Sequence, residues 1–318
     1  MPLTVPVVRL GTRSSALARW QTDYAQQLLR HAWPHVRTEV HTITTHGDRV
    51  LDTPLPMMGG KGLFTAELEA ALRSHAIDLA VHSLKDLPTE LSQGLVVGAI
   101  LRRANPADVL VSRCSYTLET LPIGATVGTS SHRRAAQFLS QRPDLHIADI
   151  RGNVDTRMHK ALASSGSYNA IILAYVGLER LGHLDVVSQI LPLEQMLPAP
   201  GQGALGIQCQ DEAAVLDLLA CLHHPETAAA VGAERAFLAG LGGGCALPVA
   251  AYASLEHGEL HLWGRVLALD GSAQIEGSAT THIGETPGPD MRMACQMGIE
   301  LAQVALEKGA TALLEASK

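Results

Sequence analysis

Lys85 and Asp86 set opposite charges side by side in the stretch Asp78-Leu79-Ala80-Val81-His82-Ser83-Leu84-Lys85-Asp86-Leu87-Pro88. The apolar run Leu79-Ala80-Val81 predicts a short buried strand, and Pro88 forbids its continuation. A charged step just past the carboxyl end of such a strand lies where open α/β sheets keep their ligands. Taken alone, a Lys-Asp pair is more often a surface ion pair in a βα loop. Its weight here comes from what other loops of the same kind carry.

The first of these is Gly11-Thr12-Arg13-Ser14-Ser15, between a strand over 7–10 and a helix with Leu17, Trp20, Tyr24 and Leu28 on one face. Ser14 or Ser15 suits the N-cap. The open N–H groups of the helix start favour an anion, and Arg13 adds a fork that fits a carboxylate. The motif returns as Gly128-Thr129-Ser130-Ser131-His132-Arg133-Arg134, before a helix with Ala135, Phe138 and Leu139 inward. A strand over 145–150 leads to Arg151-Gly152-Asn153 with Arg157 following, and a strand over 170–174 leads to Arg180. Each arginine singly reads as a solvated helix-face charge. Repeated at several βα ends, they predict two similar α/β domains that present anion-binding loops across a cleft.

Cys245 ends the run Gly240-Leu241-Gly242-Gly243-Gly244-Cys245. Three glycines leave its sulfur without flanking bulk, so it could be approached closely or carry a large adduct. A thiol hydrolase needs a histidine base, and no histidine sits in a papain-like context. An attachment point is at least as credible as a nucleophile. The other cysteines (Cys114, Cys209, Cys221, Cys295) read as buried inert hydrophobes. No Cys-x-x-Cys occurs, so neither a disulfide framework nor a zinc site is indicated. Gly201-x-Gly203-x-x-Gly206 matches a dinucleotide fingerprint formally, but it precedes a strand instead of opening a helix. Nothing near Lys61 or Lys85 indicates a pyridoxal phosphate cup.

The elements that must position these residues fall into three groups. Between Thr45 and Gly62 there is no periodicity, only Pro54, Pro56 and glycines around Lys61, which predicts a lid. A break at Arg102-Arg103-Ala104-Asn105-Pro106 and another at Pro198-Ala199-Pro200-Gly201-Gln202-Gly203 read as crossings between domains. The strand over 205–209 then returns to the first domain and makes it discontinuous. From His223 the pattern changes to a helix over 227–239 and strands over 249–255 and 259–269. Asp270-Gly271 gives a hairpin turn before a third strand, and a helix over 290–308 stops at Gly309. This is a small α+β carboxyl-terminal domain with a three-stranded antiparallel sheet.

The totals narrow the class. The chain has 318 residues, 47% hydrophobic and 17% charged, with a net charge of 24 − 31 = −7. Such a composition argues against disorder, and the negative total argues against a nucleic-acid binder. No apolar segment is long enough to span a bilayer, and residues 1–10 do not read as a secretory signal. The expectation is a cytoplasmic protein, with no heptad or apolar strip to argue for more than a monomer.

In this order and spacing, Gly59-Gly60-Lys61-Gly62-Leu63-Phe64, Ala80 to Asp86, Val127 to Arg134, Arg151 to Arg157, Pro200 to Gly203 and Gly243-Gly244-Cys245 resemble the porphobilinogen deaminase family over nearly the whole chain. The resemblance implies two domains like periplasmic binding proteins and a third small one. They divide as 1–103 with 200–221, 104–199, and 222–318. It implies a transferase that joins four porphobilinogens head to tail with loss of ammonia, then releases hydroxymethylbilane by hydrolysis in tetrapyrrole biosynthesis.

Growth occurs on a dipyrromethane cofactor held by a thioether, for which Cys245 matches the attachment position. Asp86 matches the catalytic aspartate, which accepts N–H bonds from electron-poor pyrroles and stabilises their positive charge. Lys85, Ser131, Arg133, Arg134 and Arg157 match cofactor-binding positions. Arg13, Ser15, Lys61, Phe64, Arg151, Arg157 and Arg180 match positions that bind substrate carboxylates. A single chain and a transient hand-over of product to the next enzyme are implied as well. Met57, His132 and Gly242 depart from residues frequent in the family. The rival readings are a non-enzymatic anion-binding protein and, third, a thiol-dependent transferase.

Overall fold

The structure is a computed structural model, and it describes residues 7–45, 65–163, 166–244, 247–284 and 290–315. The expected lid over 45–62, with Lys61 and Met57, and the positions Phe64 and Cys245 lie outside the described residues, apart from Thr45.

Two five-stranded sheets have the same plan. In the first, strands β1 (Val7–Thr12), β2 (Arg37–Thr42), β3 (Leu79–Ser83), β4 (Leu95–Ile100) and β10 (Leu205–Gln210) lie in the order β2-β1-β3-β10-β4. The second contains β5 (Asp108–Val111), β6 (Thr126–Gly128), β7 (His146–Ala148), β8 (Ala170–Ala174) and β9 (Val187–Ile190), in the order β7-β6-β8-β5-β9. The strands β1 and β6, which carry the repeated Gly-Thr motif, occupy corresponding places. Each sheet also receives one antiparallel strand straight after a crossing of the chain. β10 pairs antiparallel with β3 and β4, and β5 pairs antiparallel with β8 and β9. The two crossings run side by side, Leu101 N–H donating to Leu205 O and Ala104 N–H to Gly203 O.

The shared glycine has a packing cause. A Cβ on Gly11 would lie 2.3 Å from Ile77 Cδ1, and one on Gly128 would lie 2.8 Å from the Tyr168 ring. Both loops thus turn from strand to helix against a neighbour that leaves no room for a side chain. The helices that follow are α1 (Ala16–Ala32) in the first unit and, after α2 (Ala66–Arg73), α3 (His132–Gln141) in the second. Further on come α4 (Val154–Leu162), α5 (Tyr175–Leu181) and α6 (Ala213–Leu219).

The apolar face that periodicity finds on α1 is not the one that turns to the core of its own sheet. Its buried residues are Ala18, Gln21, Thr22, Ala25 and Leu29, whereas Trp20 and Tyr24 are more than a third exposed. The Leu17-Trp20-Tyr24 stripe turns toward α5 of the second unit, and Arg180 lies over the Trp20 ring at 5.3 Å. An apolar stripe that lines a crevice has the same spacing as one that faces a core. In α3 the expected inward set is also partly replaced. Phe138 is buried, but Ala135 and Leu139 are only half-buried, and the inward face includes Arg133, Arg134 and Gln137.

The third unit packs α7 (Pro225–Gly240) and α8 (Met291–Glu307), with α9 (Ala310–Glu315), on one face of a sheet. Its strands β11 (Val249–Glu256), β12 (Glu259–Leu267) and β13 (Gln274–His282) pair antiparallel in that order. Of the four cysteines read as buried, Cys209 is buried, Cys295 is half-buried, and Cys114 and Cys221 are exposed. Cys114 lies in a turn after β5 and Cys221 in a single 3₁₀ turn, Ala220–Leu222, and both reach solvent.

Candidate active site

The segment after β3 is a single 3₁₀ turn, Leu84–Asp86. Leu84 and Leu87 are fully buried with Ala204 and Val231, so the turn is pinned at both ends. Lys85 between them is half-buried, and Asp86 is exposed. Leu84 N–H donates to Ala204 O, which ties the turn to the second crossing. Apolar anchors at 84 and 87 leave 85 and 86 no choice but to project from the sheet end.

One cavity gathers residues from both α/β units: Lys85 and Ser83 from the first, and Arg134, Arg157 and Arg180 from the second. Gln21 of α1 also lines it and donates to Ser83 Oγ at 2.9 Å. Burial lowers Lys85 to about 8, and Arg134 pushes the same way against the opposing pull of Asp86 and Asp108. Arg157 falls to about 10 through burial and the nearby charges of Arg134 and Arg151, with Asp86 opposing. Burial brings Arg180 to about 10 as well. These cations are crowded and partly desolvated, a state that anions relieve.

The wall behind the cavity is a buried ionic cluster. Asp108, at the start of β5, is 0% exposed. It accepts from Arg133 Nη2 at 2.8 Å, Arg134 Nη2 at 2.7 Å and Gln202 Nε2 at 2.9 Å. Gln202 in turn accepts from Lys85 Nζ at 3.1 Å, so one chain of contacts runs from the second sheet to the first. Arg133 also donates to Leu197 O and does not line the cavity, while Arg134 belongs to both cavity and cluster. Arg180 is held by its bond to Gly203 O and by the Trp20 ring.

The remaining predicted residues occupy loop and helix starts. Ser15 caps α1, accepting from Ala18 N–H, and Ser131 caps α3, accepting from Arg134 N–H. Arg13 is half-buried beyond β1, where its charge and, above all, burial lower buried His82 to about 4. Arg157 Nε donates to Gly152 O, which fixes α4 to the loop that carries Arg151. No sequence pattern marks Asp108 or Gln21, and Gln202 stands out only as part of the Pro- and Gly-rich stretch 198–203. The one available signal for Asp108 was that two adjacent arginines facing inward must have a buried acid. Among the described residues, no cluster of three His, Cys, Asp or Glu is arranged for a metal.

Residues 8–217 match the family model described as porphobilinogen deaminase, dipyromethane cofactor binding domain, and residues 228–307 match porphobilinogen deaminase, C-terminal domain. The chain belongs to the porphobilinogen deaminase family. Porphobilinogen deaminase of Moorella thermoacetica is 48% identical over 98% of this chain and 96% of its own. That of Syntrophomonas wolfei is 44% identical, over 96% of this chain and 97% of its own. Among solved structures, a nutrient binding protein from Burkholderia cenocepacia bound to methionine covers 69% of this chain and 93% of its own, at 14% identity and a TM-score of 0.41.

The donor set fits the cofactor named by that family model. A dipyrromethane carries acetate and propionate carboxylates, and the cavity offers Lys85, Arg134, Arg157 and Arg180, with Arg134 disfavouring the charges of Lys85 and Arg157. A pH effect follows from Lys85. Between pH 7 and 9 the lysine loses its proton with a midpoint near 8, while the arginines stay charged. In cofactor-free protein, affinity for a pyrrole dicarboxylate lacking the aminomethyl group is expected to fall over that range. Calorimetric titration of native protein and Lys85→Gln checks it: the variant should bind more weakly at pH 7 and show a flat profile. A native profile that is flat from 7 to 9 would remove Lys85 from the anion site.

Proposed function

We propose that this chain is a hydroxymethylbilane synthase that joins four porphobilinogens head to tail, with loss of ammonia, and releases the linear tetrapyrrole by hydrolysis. The observation that carries this reading is one cavity where Lys85, Arg134, Arg157 and Arg180 converge beside the turn that presents Asp86.

Lys85, Arg134 and Arg157, with Ser131 as a hydroxyl donor, would hold the dipyrromethane, and Cys245 would tether it through a thioether. When bound, that group supplies a nucleophilic pyrrole carbon to which substrate units are added. Arg13, Arg151, Arg157 and Arg180, with Ser15, take the acetate and propionate groups of incoming rings. Bidentate guanidinium suits these planar anions better than ammonium does. Lys61 and Phe64 are assigned to the same substrate region. Arg133 supports Arg134 through their common partner Asp108. Asp86 accepts N–H bonds from the reacting rings, and its carboxylate stabilises the positive charge left when ammonia departs. The cation-rich wall, meanwhile, keeps the substrate carboxylates from competing for that charge.

The division into 1–103 with 200–221, 104–199 and 222–318 assigns anion-binding loops to the first two domains and the tether to the third. We read the protein as a cytoplasmic monomer that passes its reactive product transiently to the next enzyme. Among the described residues, no helix is long and apolar enough to cross a membrane. Intact-protein mass tests the assignment against a plain anion-binding protein and a thiol-dependent transferase. The native chain should carry a covalent dipyrromethane mass that gives colour with an acidic aldehyde reagent, and Cys245→Ser should carry neither. A native chain at its unmodified mass would overturn the reading.

A further inference from the structure

Helix α7 does more than support the third unit's sheet. Arg235, in the middle of it, reaches across to the turn after β3. Its Nη1 donates to Leu84 O at 3.2 Å and Leu87 O at 3.0 Å, and its Nη2 donates to Pro88 O at 2.5 Å. Three carbonyls of the segment that carries Lys85 and Asp86 thus end on one guanidinium from another part of the chain. One turn earlier on the same helix, Val231 is fully buried against Leu84 and Leu87. Between them in sequence, Glu234 is 0% exposed, pairs with Arg103 at 2.5 Å and accepts Gly201 N–H at 2.7 Å. Just past the helix end, a Cβ on Gly243 would lie 3.1 Å from Thr89 Oγ1. The same short segment, 84–89, is therefore held by the middle of α7 and lies beside the glycine turn that immediately precedes Cys245.

From this geometry we infer that Arg235 is a positioning residue for the Asp86 carboxylate. Through it, α7 sets the distance between the reacting carboxylate and the turn that leads to the cysteine. The chemistry requires arginine. A planar fork with five donors satisfies three carbonyls at once, whereas the compact ammonium of lysine on a flexible stem holds fewer in fixed directions. Loss of the fork leaves the buried Leu84 and Leu87 to hold the turn but frees the peptide units between and after them. Displacement on the order of 1 Å at a reacting group is worth roughly a hundredfold in rate. The inference rests on the assignment of Asp86 to the reacting rings, and its test separates the two.

Full-length cofactor-loaded protein is compared as native, Arg235→Ala, Arg235→Lys, Asp86→Glu and the double variant Arg235→Lys with Asp86→Glu. Intact mass, thermal unfolding, KM and kcat are read for each. Arg235→Lys should carry the native covalent mass and keep KM within about threefold, while kcat falls on the order of tenfold. Arg235→Ala should fall further in kcat. In the Asp86→Glu background, where the carboxylate is already displaced, the lysine substitution should cost less than about threefold, the non-additivity expected of residues that act as a unit. An equal loss in both backgrounds, a rise in KM with kcat unchanged, or a lowered melting temperature with native kcat would each overturn the role of Arg235. Native turnover in Asp86→Glu alone would instead overturn the assignment of Asp86.

Discussion

Asp86→Glu is expected to turn over roughly a hundredfold more slowly than the native chain while carrying the same covalent pyrrole mass. The substitution keeps the charge and moves it outward by about one methylene. Retreat of the backbone cannot absorb that extra length. Leu84 and Leu87 are buried on either side of the turn, Leu84 N–H is bonded to Ala204 O, and Arg235 holds the carbonyls of 84, 87 and 88. An electrostatic stabiliser works only where the charge develops, so a preorganised oxygen in the wrong place loses most of its value. Attachment of the cofactor makes a smaller demand, because Arg134 and Arg157, which bind its carboxylates, are on other elements and Lys85 is unchanged. Steady-state product formation and intact mass, measured on one preparation, check both halves. Native turnover would mean that the carboxylate does not meet the reacting rings.

The parts of this site that depend on local rules were legible in the sequence. A strand followed by Gly-Thr-x-Ser and a helix occurs twice, and β1 and β6 take corresponding places in two sheets of one plan. The late strand over 205–210 joins β3 and β4 of the first sheet, as expected from the Pro- and Gly-rich crossing before it. Asp270-Gly271 stands between β12 and β13, whose register runs unbroken from Glu259–His282 to Leu267–Gln274. Each of these follows from backbone geometry that a few neighbouring residues determine.

Long-range relations were not legible. Trp20 and Tyr24 look like core residues by spacing, yet they stack on each other and face the crevice with Arg180. The inward charges of α3 run against the rule that arginine stays out, and only the position of Asp108, twenty-five residues before Arg133, explains them. Glu234 and Arg235 are adjacent on one helix but serve different segments, the crossings and the Asp86 turn. Nothing in the sequence around any of these residues names its partner. Hydrophobic periodicity reports that a face is covered, without telling a core from a cleft or a partner helix.

Asp108→Ala is expected to destabilise the protein by about 3–5 kcal/mol, the scale seen when one member of a buried ionic group is removed. That is a large share of a typical domain stability of roughly 5–15 kcal/mol. Asp108 is 0% exposed, and Arg133 and Arg134, at 4% and 6%, would keep their charges with no acid to offset them. Urea unfolding should rank native protein, Asp108→Asn and Asp108→Ala in order of increasing loss, with the amide intermediate because it keeps the shape and some bonds. Burial alone would raise the Asp108 carboxyl, but Arg133 and Arg134 outweigh it and hold the group well below the usual carboxylate range. A carboxyl depressed on folding contributes its stability in full above its unfolded value of about 4 and loses it as pH falls below that. The gap between native and Asp108→Ala should therefore be widest near neutrality and narrow as the solution is acidified below about pH 4. The same substitution should lower dipyrromethane loading, since Arg134 loses the partner that aims it and Lys85 loses the end of the chain that runs through Gln202. Stability within about 0.5 kcal/mol of native at pH 7 would show that the arginines do not need this acid, and the claim that a buried pair of charges preorganises the cavity would fail with it.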